Sequence, residues 1–85
     1  MKTILKQIQE ILQEAITINL PKDDISSCLE YLENKEYGLC FDTIVTQLYE
    51  HDLKISNEFY DNIQMVGIKL GINEDEFDYL KENII

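Results

Sequence analysis

Ile4-Leu5-Lys6-Gln7-Ile8-Gln9-Glu10-Ile11-Leu12-Gln13-Glu14-Ala15-Ile16 sets the architecture of this chain. Its apolar residues fall at i, i+1, i+4, i+7, i+8, i+11 and i+12, the 3.6-residue period of an amphipathic helix. Gln7, Gln9, Glu10, Gln13 and Glu14 fill the opposite face. A helix with one apolar stripe must lay that stripe against other elements. It should end between Thr17 and Leu20, because Pro21 biases its predecessor away from helical angles.

Working outward, Asp23 and Asp24 supply a cap and favourable charge for a second helix. Ile25, Cys28, Leu29 and Leu32 form its stripe, and it should stop near Asn34. Asn34-Lys35-Glu36-Tyr37-Gly38 reads as a tight connection in which Asn34 either ends one helix or caps the next. A third helix carries Tyr37, Cys40, Phe41, Ile44, Val45, Leu48 and Tyr49 on one side. Asp42, Thr43, Thr46, Gln47 and Glu50 occupy the other. Thr43, Val45 and Thr46 are poor helix formers, but the period outweighs so small a propensity term. Ser56 is a good N-cap for a fourth helix striped by Phe59, Tyr60, Ile63, Val66, Gly67 and Leu70, with Gly71 as its stop. Asn73 and Glu76 resemble a capping box for a short fifth helix, with Phe77, Leu80 and Ile84 facing inward. The expected fold is all-α: one domain over residues 1–85, a small bundle of four main helices plus a short C-terminal helix.

The 85 residues, 45% hydrophobic, suffice for one small core. No run approaches the roughly 20 apolar residues of a membrane span. The N-terminus turns polar too early for a signal peptide, so the expected compartment is the cytoplasm. Cys28 and Cys40 sit at apolar helix positions and are expected as reduced core thiols. Without a CxxC motif or a Cys/His cluster, no metal site is expected. The stretch Asn73 to Asp78 fails as a calcium loop, since Phe77 and Asp78 stand where a ligand and a glycine are required. His51, the sole histidine, sits in a polar loop with no nucleophile at a telling spacing. No catalytic residue, cofactor or enzymatic activity is expected.

Seventeen Asp and Glu face seven Lys and no Arg, a net charge of −10. That field repels nucleic acid and anionic membranes and attracts basic partners. The candidate partner-binding residues are Glu30, Glu33, Glu36, Asp42, Glu50, Asp52 and Asp61, with Tyr37, Tyr49 and Tyr60 as anchors whose rings and hydroxyls suit an interface. Taken singly, each is more simply a solvated acid or a tyrosine packed partly into the core. An acidic carrier or adaptor of acyl-carrier type is the alternative, since such proteins are short, acidic and helical. Their attachment serine follows Asp and precedes Leu, whereas here Asp24-Ile25-Ser26-Ser27-Cys28 offers neither neighbour. A nucleic-acid mimic that occupies a DNA-binding protein is a third reading.

Leu29-Glu30-Tyr31-Leu32, Glu36-Tyr37-Gly38-Leu39-Cys40-Phe41-Asp42-Thr43 and Gln47-Leu48-Tyr49-Glu50 resemble the MafI family of bacterial immunity proteins. The likeness continues through Ile55-Ser56-Asn57-Glu58-Phe59-Tyr60 and Gly71 to Phe77-Asp78-Tyr79-Leu80, roughly the last two thirds of the chain. Related immunity proteins occur in contact-dependent growth inhibition systems. The resemblance implies a cytoplasmic antidote to a secreted or contact-delivered toxin. The implied partner is the cognate toxin's C-terminal domain, a basic ribonuclease of EndoU-like type, held without catalysis. A ribonuclease cleft that grips phosphates is basic, which agrees in sign with the charge argument.

Overall fold

Thr3 starts the first helix, its hydroxyl accepting from the Lys6 amide at 3.2 Å. The computed structural model describes residues 2–85. They form α1 (Ile4–Thr17), α2 (Lys22–Glu33), α3 (Tyr37–Glu50) and α4 (Asn57–Lys69), then two 3-10 helices, Glu74–Glu76 and Asp78–Asn83. The fold is all-α, and no helix of the described residues is long and apolar enough to cross a membrane.

The helix starts follow local chemistry. Ser56 caps α4 as expected, its Oγ accepting from the Phe59 amide at 3.0 Å. At α2 the cap differs from expectation: Pro21 takes that position and no side chain bonds the free amides. Asp23 and Asp24 lie inside the first turn, where their charge still opposes the helix dipole.

All four helices end in one geometry. The residue after the C-cap turns left-handed at Asn19 (φ 78°), Lys35 (φ 58°), Asp52 (φ 50°) and Gly71 (φ 77°). Paired amides then close each terminus: Leu20 to the Ala15 carbonyl, Glu36 to Tyr31, Leu53 to Leu48 and Ile72 to Gly67. These are Schellman closures. Asn34 therefore ends α2 and does not cap α3, and its Nδ2 donates back to the Glu30 carbonyl at 3.0 Å. Lys35 is exposed and has a Cβ where the backbone favours glycine. Lys35→Gly is expected to stabilise the protein by about 1 kcal/mol; an unchanged or lowered midpoint in urea would refute this.

Packing then orders the helices. α1 buries Ile8, Ile11, Leu12 and Ala15, and it touches α2, α3 and α4. α2 and α3, joined by residues 34–36, form an antiparallel hairpin. α2 is the outermost helix and fully buries only Cys28. Leu29, expected on its stripe, is 54% exposed. One residue is a 100° step around a helix, and the contact face of α2 is too narrow to hold both 28 and 29. Both thiols are free and buried, with Cys28 Sγ donating to the Cys40 carbonyl at 3.9 Å. The adjacent Cys28 thiol, with burial, pushes the Cys40 thiol above its ordinary range, so it stays protonated at neutral pH.

The C-terminal segment is helical but tighter than expected. Asn73 makes no side-chain cap bond, so the capping box does not form. Phe77, at φ −141°, splits the segment into its two 3-10 pieces. Its ring lies edge-on to Phe41 at 5.4 Å and tilted toward Tyr60 at 6.3 Å. It reaches α4 over Gly67, where an added Cβ would sit 2.7 Å from Phe77 Cε2. Leu80 completes this side of the core. Beyond it the backbone pairs with residue 55: the Ile55 amide donates to the Asn83 carbonyl at 2.9 Å, and the Ile85 amide to the Ile55 carbonyl at 3.0 Å.

Candidate partner-binding surface

The α2–α3 hairpin carries most of the sequence-derived candidates. Glu30 and Glu33 are exposed near the end of α2, Glu36 is exposed in the connection, and Asp42 is exposed on α3. The antiparallel pairing brings these four to one end of the hairpin. Tyr37 is half-buried there. At the opposite end lie Glu50 and Asp52, with His51 Nε2 4.0 Å from the Asp24 carboxylate. Tyr49 is 38% exposed and meets the Tyr79 ring edge-on at 4.8 Å. Asp61 is exposed on α4, which packs chiefly on α1.

Tyr60 stands apart. It is only 4% exposed, and its hydroxyl donates to Glu74 Oε2 at 2.9 Å. Lys81 lies 3.4 Å from the same carboxylate and 5.8 Å from the centre of the Tyr60 ring. Burial, and then the bond to Glu74, push the phenol above its ordinary range. The same bond holds Glu74 below the usual carboxylate value. Tyr60 is thus a core residue tying α4 to the C-terminal segment, with little surface to offer a partner.

Lysines neutralise few of these acids. Among the described residues the lysine bridges are Lys2–Glu10 at 2.9 Å, Lys54–Asp52 at 3.0 Å and Lys81–Glu74 at 3.4 Å. Of the candidate acids, Asp52 alone has such a partner; Glu30, Glu33, Glu36, Asp42, Glu50 and Asp61 have none. Their charge projects outward without local cancellation, which is the arrangement that steers a cationic body from a distance. Two leucines lie among them, Leu29 at 54% and Leu39 at 49% exposure.

A second surface was not anticipated. α1 and α4 run antiparallel, as Lys69 at the end of α4 shows by donating to the Lys2 carbonyl at 2.9 Å and Gln7 Oε1 at 2.8 Å. An open groove follows their seam, lined by Ile11, Val66, Met65 and Ile68 with Glu14 and Asn62. Met65 and Ile68 are 56% and 66% exposed. They lie outside the α4 stripe that periodicity assigns to the core. Their three-residue spacing on the solvent side was the available signal.

At the far end of the groove Glu14 is half-buried near Glu58. Burial first, and the Glu58 charge second, push the Glu14 carboxyl up from its ordinary value of 4.5. A raised folded-state value means the associated stability is present below that ordinary value and lost as pH rises through the folded one. At neutral pH the parent protein has lost it. Glu14→Gln, neutral throughout, should therefore raise Tm more at pH 7 than at pH 4. Equal increments at both pH values in a thermal scan would refute this. No protein-family model, curated protein or solved structure matches this chain.

Proposed function

We propose that this protein is a non-catalytic antidote of the immunity-protein type that the MafI-like motifs suggest. It acts in the cytoplasm, binding and neutralising the cognate toxin's C-terminal domain, a basic ribonuclease of EndoU-like class. The observation that carries the reading is the set of exposed acids on the α2–α3 hairpin, Glu30, Glu33, Glu36, Asp42 and Glu50, with no lysine within bridging distance among the described residues. An enzyme that grips RNA phosphates presents a cationic cleft, and these acids complement it in sign. Tyr37 and Tyr49 contribute partly exposed rings beside them. A small rigid bundle suits such a task, because helices hold the charges at set spacings with little to order on binding.

The test is calorimetry and rapid mixing with the toxin domain encoded beside this gene. A tight complex is expected, together with protection of RNA in a cleavage assay. Glu30→Lys with Asp42→Lys should slow association roughly tenfold or more at low ionic strength, with the difference shrinking as salt is added. No complex at low salt would overturn the proposal. So would a phosphopantetheine mass on Ser26 or Ser27 of protein from the native host, which would make the chain a carrier.

A further inference from the structure

We infer that the α1–α4 groove seats a helix of the cationic partner, which lays apolar side chains between Met65 and Ile68 and brings a lysine or arginine to Glu14. The inference rests on the partner being cationic and adds a second contact surface, besides the α2–α3 hairpin, with its chemistry.

The groove has the shape for one occupant. Two antiparallel helices leave a furrow along their seam, and a third helix lies in it by setting its side-chain ridges into that furrow. Ile11 and Val66 make an apolar floor, and Met65 and Ile68 stand exposed beside it. Methionine adapts to differently shaped apolar side chains, as a recognition surface requires.

Charge decides what the occupant must carry. At one end of the groove the cations are already engaged: Lys2 with Glu10 at 2.9 Å, and Lys69 with the Lys2 carbonyl and Gln7. At the other end the groove is lined by half-buried Glu14, which among the described residues has no lysine or histidine within 4 Å. Burial first, and the Glu58 charge second, raise the Glu14 carboxyl, and a cation beside it would offset that cost. A second copy of this chain fits poorly. It would bring its own acids and a net charge of −10, while the lysines at its groove are already occupied.

The test titrates the full isotope-labelled chain with a synthetic amphipathic helical peptide, leucines along one stripe and arginines elsewhere. A scrambled peptide of the same composition is the control. Saturable amide shifts are expected at Glu14, Asn62, Met65 and Ile68, with the Glu14 carboxyl titrating at lower pH when the peptide is bound. Met65→Ser with Ile68→Ser, both on exposed side chains, should weaken binding about tenfold or more, since each loses apolar burial. Shifts gathered on Glu30, Glu33 and Asp42 with the groove silent would overturn the groove and leave the cationic-partner reading standing. Equal groove shifts from the scrambled peptide, or concentration-dependent groove shifts without peptide, would also overturn it. Silence over the whole chain would count against both readings.

Discussion

Phe77→Ala is expected to destabilise the protein by about 3–5 kcal/mol, the cost typical of truncating a buried aromatic ring. A domain of this size holds about 5–15 kcal/mol in total at most. The Tm should therefore fall by about 12 °C or more, or the cooperative transition should vanish. The reason lies in the number of elements one ring joins. Phe77 is 1% exposed, meets Phe41 of α3 edge-on and leans toward Tyr60 of α4. It also covers Gly67 so closely that a Cβ there would lie 2.7 and 2.8 Å from its ring atoms. Removing the ring opens a void between α3, α4 and the two 3-10 helices, which short irregular segments have little means to collapse. Gly67→Ala alone should destabilise, because the overpacking outweighs the roughly 1 kcal/mol of helix propensity gained. Combined with Phe77→Ala, the same methyl enters space the ring has left and should be neutral or better, so the pair is strongly non-additive. Additive losses in the double variant, or a single Phe77→Ala cost under about 1 kcal/mol, would show that the ring is not the joint described.

Asn83→Ala should be the next most damaging change. Asn83 is the one polar side chain in the buried set, 2% exposed. Its Nδ2 donates to the Leu48 carbonyl at 3.1 Å and the Leu53 carbonyl at 3.0 Å, bridging the end of α3 to the loop before α4. Leu48 also receives the Leu53 amide in the closing turn of α3. Loss of the amide therefore strands mainly the Leu53 carbonyl, at about 1–3 kcal/mol, and removes the second bond as well. Asn83→Asp should be worse at neutral pH. It sets a buried carboxylate against two carbonyl oxygens, with both donors gone. Protonation restores one donor, so the gap between the Asp and Ala variants should narrow as pH falls through the acid range. An Asp variant as stable as the parent at pH 7 would remove Asn83 from this role.

These two residues mark where linear reading stops. The Ser56 cap and the Gly71 stop are satisfied within one helical turn and stand as expected, and the α1 stripe stands except at Leu5, which is 36% exposed. Asn83 carries no such pattern. Its partners are 35 and 30 positions away, and nothing local distinguishes a buried bridging amide from an exposed polar end. The division of Asn73 to Asn83 into two 3-10 pieces has a similar origin. Local capping chemistry favours one helix there, but the Phe77 ring enters the core over Gly67, and the chain breaks at φ −141°.

The candidate surface divides in the same way. That the exterior would be strongly anionic followed from residue counts alone, because carboxylates stay in water wherever the chain folds. Which of them lack a lysine followed from no count. Tyr60 reads as an anchor at a helix edge, yet the Glu74 carboxylate engages its hydroxyl and the ring belongs to the core. Met65 and Ile68, unremarked in the periodicity of α4, became a surface feature because α1 lies alongside and completes a groove. Helical class, the ends of the four main helices bar the α2 cap, and the sign of the field were properties of the chain read in order, since periodicity, capping and charge act over a few neighbours or none. The joint at Phe77, the bridge at Asn83 and the groove ending at Glu14 arose only when helices met, because each depends on groups distant in sequence and close in space.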